Sequence, residues 1–235
     1  MSDQQVPRHV AIIPDGNRRW AKEKGKKPWE GHEVAAQNLE EISGLARDRG
    51  MTHLTMWGSS LENLEKRPLR EKAALLDIYE RYFKKLLNSQ EVKNGDLCIR
   101  IIGRWRSVFP KHLVKILEEG ISRTADNVVF NLTLCLAYSG DDEMLGAVKS
   151  IVDENLSAPD ISAAVLKNHL MTRDLPAVDY LIRTGGEPHL SVGFMMWDIA
   201  NAQLFFSEKL CPDFGADAFG EALDEYGRRA RRHGA

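Results

Sequence analysis

Six short, almost wholly apolar runs, separated by stretches with helical spacing, constrain this chain more than any other feature. The runs are His9–Ile13, Thr52–Gly58, Leu97–Gly103, Val128–Tyr138, Val178–Gly185 and Gln203–Ser207. Each is rich in Val, Ile, Leu or Phe and ends in a polar or glycine-bearing segment, as buried strands do. Strands that are apolar on both faces belong to mostly parallel sheets covered by helices. Between them, Ala35, Leu39, Ile42 and Ala46 share one helix face that stops at Gly50. The segment 69–88 carries a wider apolar face, with Leu75, Leu76, Tyr79, Phe83, Leu86 and Leu87. The same spacing predicts helices over 110–124, 141–156, 161–171, 193–202 and 216–232. With no linker, repeat or low-complexity tract, the expected fold is α/β. It is one catalytic domain over 1–235, a mostly parallel six-stranded sheet flanked by helices.

The formal net charge of -2 over 235 residues argues against a general nucleic-acid binder. Cys98, Cys135 and Cys211 stand apart with no metal-ligand spacing, which reads as free thiols in a reducing compartment. No apolar run approaches the roughly 18 residues of a membrane span. "MSDQQVPRHV" lacks the parts of a signal peptide. The expectation is a cytoplasmic protein without a membrane span.

Ligands of open α/β sheets bind beyond the carboxyl ends of the strands. The first strand delivers Asp15, Gly16, Asn17, Arg18 and Arg19 there, followed by Trp20 and the start of a helix. Helix-start N–H groups and guanidinium groups favour anions, and a carboxylate can hold a hard divalent ion. Asp15 with solvated arginines as an ordinary helix cap is the plain alternative. The second strand ends in "GSSLENLEKRP", with Ser59, Ser60, Asn63 and Arg67. The fifth ends in "RTGGEPHLS", with Arg183, His189 and Ser191. Arg, Ser, Asn and Gly at three strand ends suit phosphate oxygens. Neither GxxxxGK[ST] nor GxGxxG occurs, so a diphosphate outside a nucleotide fits better.

In order, "HVAIIPDGNRRWA", "GH" (Gly31-His32), "SSLENLEKRP", "LIRTGGE", "FMMWDIANAQLFF" and "CPDF" resemble the motifs of the cis-prenyltransferases. The likeness runs from His9 to the C-terminal "RRHGA". It implies a homodimeric α/β enzyme with an apolar tunnel, which condenses allylic isoprenoid diphosphates with Mg²⁺. Carried over, Asp15 is the catalytic carboxylate that binds Mg²⁺, and Asn63 assists proton removal. Gly16, Asn17, Arg18, Arg19, Trp20 and His32 cradle the allylic diphosphate, with Ser59, Ser60 and Arg67 nearby. Arg183, His189 and Ser191 fall in the second diphosphate site. Arg232 and Gly234 match a tail that reaches the neighbouring subunit's site. The face on 69–88 either lines the tunnel or is an ordinary core stripe.

The departures from the family pattern cluster in the second site. His189 stands where the family has arginine, and Gln203 where it has a glutamate that completes the metal site. One extra residue separates Ser191 from Phe194, and "YSGD" at Tyr138–Asp141 replaces YGGR. Leu61 is inserted before Asn63, and the spacing from Asn63 to Arg67 is one longer than the family's, which offers Lys66 as a stand-in for Arg67. These changes suggest the irregular members of the family, such as the cyclolavandulyl and isosesquilavandulyl diphosphate synthases. The resemblance implies head-to-middle coupling of dimethylallyl diphosphate, alone or with geranyl diphosphate. Regular elongation with isopentenyl diphosphate is the alternative. A non-catalytic partner subunit fits poorly with an intact Asp15, Asn17, Arg19, His32 and Asn63.

Overall fold

The computed structural model describes residues 5–229. Its elements follow in chain order as β1 (His9–Ile13), α1 (Asn17–Glu23), α2 (Pro28–Asp48), β2 (His53–Trp57), α3 (Leu61–Lys66) and α4 (Leu69–Leu87). Then come α5 (Gln90–Lys93), β3 (Leu97–Ile102), α6 (Trp105–Val108), α7 (Lys111–Arg123), β4 (Phe130–Cys135) and α8 (Gly140–Asp153). The last are α9 (Ala163–His169), β5 (Tyr180–Arg183), β6 (Gln203–Phe206) and α10 (Ala216–Arg228). The six strands form one sheet in the order β3-β4-β2-β1-β5-β6, and every pairing is parallel.

The apolar runs make this sheet because successive side chains point to opposite faces, and both faces are covered. Val10 and Ile12 of β1 join the core with Leu54, Ile99, Leu132, Leu75 and Phe219. Ala11 and Ile13 turn the other way, toward Trp57, Leu181, Phe194 and Ile199. β1 lies in the middle, with His9 against His53 on one side and Ile13 against Arg183 on the other. The carboxyl ends of β1, β2 and β5 therefore open at one edge of the sheet.

One expected helix is absent. Residues 193–202 form successive turns, because Val192 and Met195 adopt φ of 45° and 47° and the Met195 N–H goes to the Tyr138 hydroxyl. Such φ values break helical continuity. The short helices α3, α5 and α6 carry too little apolar periodicity to announce themselves. Ser60 and Ser89 cap the first two, accepting from the N–H groups of Asn63 and Val92. No helix among the described residues is long and apolar enough to cross a membrane. The three cysteines are free and buried.

Candidate functional site

Asp15 leaves β1 with its backbone clamped. Its N–H donates to the Thr184 hydroxyl at 2.8 Å, and that hydroxyl donates back to the Asp15 carbonyl at 2.8 Å. The Cys211 N–H meets the same carbonyl at 2.9 Å. The carboxylate is thereby held at the strand end, where Oδ1 accepts from the Gly16 N–H at 2.6 Å. Oδ2 accepts from Arg183 Nη2 at 2.8 Å. Arg19 reaches the Gly185 carbonyl at 2.7 Å and stands 3.6 Å from Oδ1. Helix α1 starts at Asn17, so its free N–H groups face the same space.

α2 and α3 supply the opposite wall. Arg67 donates to His32 Nε2 at 3.2 Å and ion-pairs with Glu71, which also meets Arg18 at 3.4 Å. Glu71 is buried, and its carboxylate balances two guanidinium groups. Burial first, then the charges of Arg67 and Arg18, lowers the His32 pKa to about 3. His32 is therefore neutral near pH 7, and its Nε2 can accept from Arg67. Asn17 Oδ1, Arg67 Nε and Arg183 Nε are buried without a partner. Two unpaired guanidinium N–H groups around one pocket suit an incoming polyanion.

These residues line the mouth of a cavity of about 1580 Å³. Asp15, Gly16, Asn17, Arg18, Arg19, His32, Ser59, Ser60, Asn63, Arg67, Arg183 and Ser191 all border it. From there it passes between the sheet (Met56, Leu132, Leu134) and the apolar faces of α2 (Ala35, Ala36, Leu39) and α4 (Leu75, Tyr79, Phe83, Leu86). Its far end reaches Leu97 and Phe130, the first residues of β3 and β4. The apolar face on 69–88 thus lines a cavity as well as a core.

The remaining expected residues take varied places. Trp20 does not border the cavity; its indole N–H donates to Asp213 at 2.8 Å and anchors α1 from behind. The His189 side chain is 57% exposed, does not border the cavity, and lies 3.8 Å from Glu187. Only its carbonyl serves the site, accepting from Arg183 Nη1 at 2.7 Å. Lys66 does not replace Arg67; it ion-pairs with Glu62 and is 74% exposed. Ser59 and Ser60 border the cavity while their hydroxyls accept from the N–H groups of Ala137 and Asn63. Gln203 pairs with Tyr180 at the amino end of β6, three positions before the row that holds Arg183. At about 3.3 Å per residue that is roughly 10 Å from the Asp15 end, so Gln203 completes no site with Asp15 of its own chain. Arg232 and Gly234 lie outside the described residues.

Glu71 and Thr184 were missed by sequence reasoning. Glu71 lies in the first turn of α4, four residues after Arg67, and a carboxylate that close in sequence to a phosphate-binding arginine could have found it. Thr184 sits inside "RTGG", where its role depends on contact with Asp15, 169 residues away.

A Mg²⁺ ion fits this donor set if the substrate brings most of the ligands. Among the described residues no three His, Cys, Asp or Glu side chains are grouped to hold a metal. Asp15 offers one carboxylate beside a phosphate-binding cradle, and Mg²⁺ commonly binds through one or two carboxylates plus substrate phosphates and waters.

Acid should unfold the protein early. Burial and nearby cations hold His32 near 3 and His53 near 4, and burial also lowers His9. Unfolded histidines protonate near 6.5, so below that pH the unfolded chain binds more protons. Stability is complete above about 6.5 and falls as the pH drops toward 4. His169, raised by the Val165 carbonyl and Glu154, opposes this weakly. Urea midpoints measured at pH 7.5, 6 and 5 should decline in that order, and a level series would contradict these assignments.

The model of the family described as "Putative undecaprenyl diphosphate synthase" matches residues 13–234. The chain is 36% identical over 233 residues to the tritrans,polycis-undecaprenyl-diphosphate synthase (geranylgeranyl-diphosphate specific) of Thermococcus kodakarensis, covering 97% of this chain and 87% of the relative. It is 37% identical over 238 residues to an isoprenyl transferase of Halalkalibacterium halodurans, covering 100% and 91%. The crystal structure of lavandulyl diphosphate synthase from Lavandula x intermedia in complex with dimethylallyl diphosphate superposes with a TM-score of 0.89. That match has 33% identity and covers 98% of this chain and 99% of that one.

Proposed function

The chain belongs to the undecaprenyl diphosphate synthase (cis-prenyltransferase) family and is a prenyltransferase, and from that premise we propose that it lengthens an allylic diphosphate by adding isopentenyl units. The cavity carries this reading. At about 1580 Å³ it exceeds the roughly 300–1,000 Å³ of ordinary small-ligand pockets. It also runs the length of the sheet behind the diphosphate cradle. A growing apolar chain suits that shape, and dry walls protect an allylic cation from water.

In this proposal Asn17, Arg18, Arg19, His32 and Arg67 bind the allylic diphosphate and hold its charge as the C1–O bond breaks. Mg²⁺, when bound at Asp15, neutralises charge on the departing diphosphate. Arg183 and Ser191 hold the second diphosphate so that its double bond faces C1. Asn63, at the rim, orients the acceptor as its proton passes to the departed diphosphate, which leaves the new double bond. The edge strand β6 leaves Leu204 41% exposed, and pairing of two copies through this edge is part of the proposal. It would bring Gln203, whose Oε1 is buried and unpaired, toward a neighbouring chain.

Head-to-middle coupling of dimethylallyl diphosphate, alone or with geranyl diphosphate, is the second reading. The outward-turned His189 favours it, because the acceptor half keeps one guanidinium where the family pattern has two. The likeness to lavandulyl diphosphate synthase supports it too.

Mass spectrometry of products separates the two. Purified protein and Mg²⁺ would be incubated with dimethylallyl diphosphate alone, and with isopentenyl diphosphate plus an allylic primer. Elongation requiring isopentenyl diphosphate is expected. A C10 diphosphate from dimethylallyl diphosphate alone would instead establish the branched coupling.

A further inference from the structure

Two departures from the family pattern, the YSGD segment and the extra residue before Phe194, meet in space. The Gly140 N–H donates to the Val192 carbonyl at 3.0 Å. A Cβ at Gly140 would overlap the Gly193 carbonyl oxygen, and one at Gly193 would meet the Met196 side chain and come within 2.9 Å of Asp141 Oδ1. Val192 and Met195 are held at positive φ, a conformation that branched and bulky residues adopt only under constraint.

A buried polar pair supplies that constraint. The Tyr138 hydroxyl donates to Glu143 Oε2 and accepts from the Met195 N–H at 3.2 Å. Glu143 Oε1 accepts from the Thr172 N–H at 2.9 Å. Tyr138, Glu143 and Thr172 are 1%, 3% and 0% exposed, so water replaces none of these bonds cheaply. Phe194 stacks on Trp57 with centroids 5.3 Å apart. The segment thus pinned carries Ser191 to the cavity wall, and its His189 carbonyl holds Arg183 against Asp15. The allylic cradle, by contrast, rests on α1, α2 and α3.

We infer that the Tyr138–Glu143 pair, with the Gly140–Gly193 contact, is a positioning device for the acceptor half of the site. This rests on the reading that Arg183 and Ser191 hold the second diphosphate. The pair touches no substrate. It sets where the acceptor's double bond lies relative to the allylic carbon.

Tyr138→Phe keeps the ring and removes the hydroxyl, so it tests the idea with little risk to folding. Calorimetry would first titrate dimethylallyl thiolodiphosphate, an unreactive donor analogue, and then isopentenyl diphosphate onto the loaded protein. The second dissociation constant should rise about tenfold, the cost of one buried hydrogen bond, while the first changes less than about twofold. Glu143→Gln retains an oxygen for the Thr172 N–H and should have the smaller effect; Glu143→Ala should have the larger. Equal weakening at both sites, or none at either, overturns the inference. Wild-type protein that binds both diphosphates yet forms no product would overturn the proposed function and leave this test standing.

Discussion

Asp15→Asn should lower single-turnover product formation about a thousandfold while leaving the fold intact. The backbone at this position is fixed by Thr184 and Cys211, so the asparagine enters the same place. Its oxygen can still accept from the Gly16 N–H. What disappears is the charge. Arg183 loses its carboxylate partner at 2.8 Å, and no clustered set of acidic neighbours among the described residues can take over a metal. Removing one preorganised electrostatic contact typically costs a hundredfold to a thousandfold, and loss of a Lewis acid adds to it. Binding of the allylic diphosphate should weaken little, because Arg18, Arg19, His32 and Arg67 remain. The loss should thus appear in the rate rather than in KM. Quenched single-turnover assays across a Mg²⁺ titration would measure it. A loss below about tenfold would remove Asp15 from the centre of the chemistry.

The strands were legible because each is apolar on both faces and ends in polar residues. All six fall inside the runs expected for them. The misread helix at 193–202 has a physical cause. Phe194, Met195 and Ile199 are spaced like a helix face because all pack beneath the sheet, yet hydrogen bonds from neighbouring elements dictate their backbone. The site was half legible. Asp15 to Arg19 is one contiguous stretch whose placement follows from parallel-sheet topology. The meeting of His32 with Arg67 joins α2 to the residue after α3, 35 positions away, and no spacing rule reveals it; the motif resemblance brought both forward. That same resemblance names Trp20 and His189, whose side chains do not border the cavity. Motif membership does not say which side of the backbone a residue faces. Nor does it say at which end of a strand a residue falls: Gln203 opens β6, away from Asp15 of its own chain, because a strand's two ends look alike in sequence and lie at opposite edges of the sheet.

Gly31→Ala should be nearly as damaging as the loss of Asp15, through packing instead of charge. Gly31 lies in the first turn of α2, where the helix passes over the start of α1. A Cβ there would overlap the Asn17 carbonyl oxygen and press on the Asn17 carbonyl carbon at 2.8 Å. The obstacle is backbone at the first residue of a helix, so no rotamer change relieves it. Overpacking commonly costs 1–3 kcal/mol and more when only backbone can yield; about 3 kcal/mol is expected here. The displacement has a functional direction. Separating α1 from α2 moves Asn17, Arg18 and Arg19 away from His32, which also holds Arg67. Stability and allylic binding should therefore fall together. Urea denaturation and calorimetry with dimethylallyl thiolodiphosphate would read the two losses separately. Gly44→Ala, with open space around its Cβ on the same helix, should be neutral or slightly stabilising. If Gly31→Ala matched it, the close crossing of α1 and α2 would not be what sets the diphosphate cradle.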